Sequence, residues 1–291
     1  MGSVSVSGRG NMGHPGFSIP LLLAAMTLLG FLVVPFITMI RLSFIEPGGF
    51  AFVGLANFKR ALTSAFYYKA FYNSLLVSLF SAVVGLALGA VAAAALNALP
   101  ARHKEKLLLI SSVSSNFAGV PLAFGFIILL GANGMLTMLF QALSVPLLKS
   151  FDLYSWAGLG LVYVYFQIPL CAILLLPAFE ALRKDWKEAS AMLGASSAAY
   201  WRLIALPVLT PALVGTAGIL FANALGAYAT AYALVGSNFG LVPIRIASLV
   251  ASNVNLQPEL GAALAVLLTL LMAASIGLNQ GMQALWRRLT K

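Results

Sequence analysis

Long uninterrupted apolar runs alternate with short polar connections along this chain. Runs at residues 17–40, 71–99, 107–130, 154–179 and 260–285 each exceed the roughly 18 residues that a membrane-crossing helix needs. A sixth, from 208 to about 235, is richer in Gly, Ala and Tyr. None of them contains Asp, Glu, Lys or Arg. A charge at mid-membrane costs about 2.5–3.5 kcal/mol on the insertion scale, so all six are expected to insert. The pattern predicts an all-α integral membrane protein with six spans. The first run is longer than a signal-peptide core and shows no small-residue cleavage site before Arg41, so a retained span is expected. Residues 1–16, rich in Gly and Ser, read as a flexible tail, and 287–291 as a second short tail.

Basic residues orient the bundle. If both termini share a side, that side carries Arg9, Arg102, Lys104, Lys106, Arg183, Lys184, Lys187, Arg202, Arg287, Arg288 and Lys291, eleven in all. The other side carries six: Arg41, Lys59, Arg60, Lys69, Lys149 and Arg245. The positive-inside rule then puts both termini in the cytoplasm. Residues 41–70 become an external interfacial segment that ends amphipathically around Phe58, Leu62 and Phe66. The stretches 132–152 and 236–259 are also external, the latter with an apolar piece near 244–250. The one sizeable cytoplasmic loop is 180–207, within a core of 71–286.

Composition removes other classes. The chain is 61% hydrophobic and 8% charged, against about a quarter charged in ordinary soluble domains. The net charge of +10 is scattered at span ends rather than gathered in a patch, which argues against nucleic acid. Cys171, the one cysteine, has no partner for an intrachain disulfide. His14 and His103 fall in polar connections. The spans offer no carboxylate for proton relay, metal binding or acid catalysis, and no phosphate-cradling G-x-x-x-x-G-K-[ST] occurs. An intramembrane enzyme or a stand-alone secondary carrier lacks its expected parts. The chain is either a passive scaffold or is driven by another subunit.

The 180–207 loop breaks the monotony. Helix formers dominate up to Leu193, and Asp185 is placed to cap a helix with Trp186, Ala189 and Leu193 on one face. Gly194 permits a turn through positive φ. Residues 196–204 predict a second short helix that Pro207 ends or redirects. Trp186, Leu193, Tyr200 and Trp201 are more apolar surface than a simple connector needs, which suggests a docking surface for a soluble partner.

Here the chain resembles a family. Glu188-Ala189-Ser190, three residues, Gly194, nine residues and Ile204-Ala-Leu206-Pro207 are similar to the E-A-A-x3-G-x9-I-x-L-P signature of binding-protein-dependent, type I ABC importer permeases. Ser190 stands where the family has Ala. Asn73-Ser-Leu, Gly131-Ala-Asn-Gly134 and Gly226-Ala-Tyr-Ala-Thr agree, and the resemblance covers about residues 50–286. It implies a coupling helix–turn–helix between spans four and five, seated in a cleft of a cytoplasmic ATPase. Glu188 would make polar contacts there, Ala189 and Ser190 would allow close approach, and Gly194 would supply the turn. Ile204, Leu206 and Pro207 would anchor the loop to the fifth span. The resemblance further implies two ATPase subunits that hold ATP and Mg, with no cofactor in this chain. It also implies a second permease subunit, identical or related, a periplasmic or lipid-anchored substrate-binding protein, and residence in a bacterial cytoplasmic membrane.

Neutral side chains are the candidates for touching a solute: Ser111, Ser112, Ser114, Ser115 and Asn116, then Tyr163, Tyr165 and Gln167, then Asn223, Tyr228 and Tyr232. The narrowed set is Ser115, Asn116, Tyr163, Gln167, Asn223 and Tyr228. For each, bonding to a neighbouring helix competes with pathway lining. Gly215, Gly218 and Ala222 resemble a close-packing stripe. Pro121, Pro169 and Pro211 are either gating bends or tolerated kinks. Gly226-Ala-Tyr-Ala-Thr and Leu256-Gln-Pro-Glu-Leu-Gly-Ala-Ala-Leu look like the branch that includes polyamine, thiamine, ferric-ion and aminophosphonate importers. Gly54-Leu-Ala-Asn-Phe58 looks like carbohydrate permeases, which keeps a sugar importer open.

Overall fold

A computed structural model of the chain describes residues 15–143, 151–236, 239–251 and 256–289. Arg9, His14, Lys149 and Lys291 lie outside the described residues, as do most of the two tails. Helix α1 (Pro15–Leu42) leads into a turn bridged between Ile45 and Phe52, then α2 (Ala56–Thr63) and the long α3 (Ala65–Ala98). Helices α4 (Ala101–Asn116), α5 (Val120–Leu130) and α6 (Met135–Ala142) follow. Helix α7 (Trp156–Glu180) precedes α8 (Lys184–Met192) and α9 (Ser197–Tyr200), and a π-helical turn at Trp201–Ala205 runs into α10 (Leu206–Gly226). The described chain closes with α11 (Tyr228–Val235), α12 (Val242–Ala251) and α13 (Pro258–Leu289).

Six stretches are long and apolar enough to cross a membrane: Leu22–Leu42, Ala65–Ala98, Val120–Ala142, Trp156–Glu180, Ser197–Gly226 and Pro258–Gln283. Two differ from the expected continuous spans. The 107–130 run is broken, because Gly119 has φ +79° and Pro121 sits in the first turn of a new helix, where its missing N–H is no loss. The 208–235 run is broken at Ala227, which leaves α11 as a separate helix. Helix α3 also starts six residues earlier than the apolar run, at Ala65 instead of Phe71.

Lipid tails are as apolar as leucine, so van der Waals fit rather than hydrophobic burial joins these helices. The α3–α7 pair shows how. Ser74, Ser78, Ser81, Gly85, Gly89 and Ala93 recur every three or four residues and are all buried. A Cβ at Gly85 would lie 2.6 Å from Cβ of Gln167, and one at Gly89 would lie 2.6 Å from Sγ of Cys171. In return Gly160 of α7 admits the ring of Phe80. On the other flank Gly215 and Gly218 of α10 receive Gln283 and Asn279 of α13, so two amides pack where side chains are absent.

Helix α7 is therefore the axis, buried along most of its length. Helix α1 is the opposite case: none of the residues from Leu22 to Leu42 is buried, and Phe31 is 81% exposed. Asn57 of α2 pins the intervening turn, donating to the carbonyls of Ser43 (3.0 Å) and Ile45 (2.8 Å).

Candidate functional site

The hairpin after α7 is built from local rules. Helix α8 begins after Arg183, whose backbone is extended and whose side chain does not cap. Asp185, expected as the cap, instead sits in the first helical turn and pairs with Arg183 at 2.7 Å. It still complements the positive helix end there, while the pair itself is exposed and contributes little. The C-terminus is a Schellman motif: Gly194 N–H donates to Ala191 O and Ala195 N–H to Ser190 O, both at 3.0 Å. The motif needs a left-handed residue after the cap, and Gly194 has φ +80°. A Cβ there would meet nothing within 4 Å, so glycine is required by conformation and not by space. Ser190 is buried with its hydroxyl on Lys187 O at 2.8 Å, so serine in the usual alanine position is satisfied inside its own helix.

Helix α9 opens with Ser196 as N-cap, its Oγ accepting from Ala199 N–H at 3.2 Å. Of the two outcomes open for Pro207, ending the second helix or redirecting it into the next span, the structure shows the second. Leu206 N–H bonds back to Trp201 O across five residues. This widened turn relieves the clash a proline ring makes with the carbonyl four residues earlier, and helix runs on from Ser197 to Gly226. The hairpin and the fifth span thus form one continuous lever.

The hairpin exposes apolar surface. Leu193 is 89% exposed, Met192 83% and Leu203 71%, with Trp186 and Trp201 also open. Trp186, Ala189, Ser190, Leu193, Leu203 and Ile204 line a groove of about 580 Å³ that continues to Pro207. Glu188 and Ala189 face outward, Leu206 is exposed, and Ile204 and Pro207 are half-buried at the root. Lys104 reaches Glu180 at 2.7 Å, which ties the first turns of α4 to the end of α7, at the hairpin end of the bundle.

At the helix breaks, freed backbone groups find partners, as they must where water is excluded. Gly119 N–H donates to Thr230 Oγ1 at 2.7 Å, so the two breaks meet. The hydroxyl of Tyr163 donates to Ala227 O at 2.7 Å; away from the breaks, Gln167 Nε2 donates to Leu220 O within α10 at 2.8 Å. Tyr163 and Gln167 are 2% and 0% exposed. Of the two readings open for these residues, the bonds are those of helix-joining side chains inside the bundle. Asn116, Asn223 and Tyr232 point outward, Ser115 and Tyr228 are half-buried, and Tyr228 stacks on Tyr232 at 5.3 Å. Pro169 and Pro211 lie within α7 and α10 without breaking them. Nothing local in the sequence pairs Thr230 with Gly119, because their contact joins positions 111 apart. The Gly85-x3-Gly89 spacing was visible in the sequence and is the signal that locates the α3–α7 contact.

Comparison with known proteins identifies this architecture. The family described as binding-protein-dependent transport system inner membrane component matches residues 85–289. The chain belongs to that family. The permease is 29% identical over 195 residues to the thiamine transport system permease protein ThiP of Brucella abortus, covering 66% of this chain and 34% of that protein. It is 29% identical over 228 residues to the probable ABC transporter permease protein y4fN of Sinorhizobium fredii, covering 76% and 37%. The permease thus spans only about a third of the length of the curated relatives it matches. In fold it is similar to a chain of the crystal structure of a bacterial ABC transporter involved in import of the acidic polysaccharide alginate. The TM-score there is 0.69 at 18% identity, covering 94% of this chain and 96% of that one. A second structure of the bacterial alginate transporter, in complex with alginate pentasaccharide-bound periplasmic protein, gives 0.70 at 16% identity, covering 94% and 95%. The chain is thus an all-α, multi-pass inner membrane component of a binding-protein-dependent transport system.

Proposed function

We propose that the permease forms half of a translocation pathway for a small polar organic solute of the thiamine or polyamine kind, handed over by a substrate-binding protein. Two cytoplasmic ATPase subunits, which hold ATP and Mg, would drive it, and a second permease subunit would complete the path. The observation that carries this reading is the exposed, apolar-grooved hairpin continuous with α10. A lever of that kind transmits the closure of a motor subunit as a rigid tilt of the fifth span. Glu188 and Ala189 would meet the ATPase, Ser190 and Gly194 would hold the hairpin's shape, and Ile204, Leu206 and Pro207 would join it to the span. Asn116, Asn223 and Tyr228, with Ser115, are the neutral groups that would touch the solute. The matches to thiamine permeases support the solute class. A sugar importer stays the alternative reading of the stretch at 54–58, where Gly54 turns the chain at φ +58° into α2.

The test is assembly and transport. The assembled importer is reconstituted and ATP-dependent uptake of labelled thiamine and spermidine is measured beside ATPase co-purification. Glu188→Lys should reduce both by about tenfold, as expected for losing one charge-assisted contact and adding a repulsive one. Unchanged co-purification and uptake would remove the coupling assignment. Uptake of neither compound would remove the solute class alone.

A further inference from the structure

The far end of the bundle from the hairpin carries a pocket that the transport reading does not use. It lies among the first turns of α3, α7 and α12, about 36 Å along α7 from Glu180 at 1.5 Å per residue. Phe66, Lys69, Asn73, Trp156, Phe239 and Arg245 line a space of about 400 Å³, beside the backbone of Gly240. The Arg245 guanidinium lies over the Phe66 ring at 4.1 Å, a cation–π contact that holds it flat. Asn73 Nδ2 donates to Gly240 O at 3.2 Å and closes one wall.

The charge balance is the informative feature. No carboxylate lines the pocket, and neither Arg245 nor Lys69 forms an ion pair among the described residues. The Arg245 Nε is buried and has no hydrogen-bond partner among those residues. Burial lowers the Arg245 pKa from its ordinary value, with Tyr67 acting in the opposite sense, yet a guanidinium remains charged at neutral pH. A cation held at the edge of an apolar bundle with an orphaned donor is costly unless an anion arrives from outside. The ring of Phe66 occupies the guanidinium face, so the N–H edge is what remains to grip oxygen atoms in pairs. Trp156 and Phe66 place the pocket at the level where aromatic side chains meet lipid headgroups.

We propose that this pocket binds a phosphate-class anion, with Arg245 as the fork, Lys69 as the second positive charge and Asn73 as a neutral wall. The same chemistry is offered by an anionic phospholipid headgroup and by a soluble phosphate ester. This inference does not rest on the identity of the transported solute.

The test uses the full chain with its assembled partners, purified in detergent and in nanodiscs of phosphatidylglycerol or phosphatidylcholine. Retained lipid is counted by native mass spectrometry, and inorganic phosphate is titrated separately by the shift in tryptophan fluorescence. Arg245→Gln should weaken anion binding about tenfold or more, the loss expected for a charged hydrogen-bonding partner. Lys69→Gln, on an exposed side chain that does not threaten folding, should weaken it less. Arg245→Lys should retain part of it, since charge survives but the fork does not. Preferential, Arg245-dependent retention of phosphatidylglycerol supports the site and makes a lipid its source. Arg245-dependent binding of inorganic phosphate alone supports it with a soluble source. Absence of both, or binding that neither Arg245→Gln nor Lys69→Gln changes, overturns the proposal.

Discussion

Gly194 is held in place by backbone shape and not by crowding. Its φ of +80° closes the Schellman motif, while the space around a Cβ is empty. Any branched residue should therefore strain the turn by about 1–2 kcal/mol, whereas asparagine, which tolerates the left-handed region, should be accepted. The expected order of ATPase co-purification is wild type, then Gly194→Asn, then Gly194→Val. Equal recovery with valine and wild type would show that the turn is not under this constraint. A reader of the sequence could place Gly194 at a turn from its position after a helical run. Asp185 was less legible, because which residue caps a helix depends on where the preceding chain leaves it extended, here at Arg183.

Elements in this bundle meet through missing side chains and borrowed hydrogen bonds. At the α3–α7 seam, Gly85→Ala would push a methyl group to 2.6 Å from Cβ of Gln167. Neither atom can rotate away, so a loss of about 1–3 kcal/mol is expected, read as a lower melting temperature of the detergent-solubilised chain. At the meeting of the two helix breaks, Thr230→Ala would leave the Gly119 N–H without its acceptor. The cost should be about 1–2 kcal/mol, and Thr230→Ser should recover most of it because the hydroxyl returns. Hydrogen exchange at residues 117–120 is the direct measurement; no increase in the alanine variant would mean another group accepts that proton. The pairing of the breaks was invisible in sequence. Pro121 and Gly119 announce an interruption, but nothing local says that Thr230 satisfies it.

For the whole molecule, the charge count of eleven against six predicts that the hairpin end is cytoplasmic. Cys171 is the one cysteine in the chain and is buried, so single-cysteine variants can be read over a low background. Lys187→Cys should react with an impermeant maleimide only in inverted vesicles, and Lys69→Cys only in intact cells. The reverse pattern would invert the molecule and detach the hairpin from any cytoplasmic motor.

The amino-acid sequence by itself determined the membrane class, the number of apolar runs and the place of the hairpin. These depend on local quantities: transfer free energy summed along a run, helix propensity, and one glycine's allowed φ. Tertiary structure alone decided that the two helix breaks meet through Thr230, that Tyr163 and Gln167 bind helices to one another, and that Arg245 and Lys69 share a pocket. Those outcomes depend on which distant backbone group lies within about 3 Å, the reach of a hydrogen bond, and only the packed bundle sets that distance.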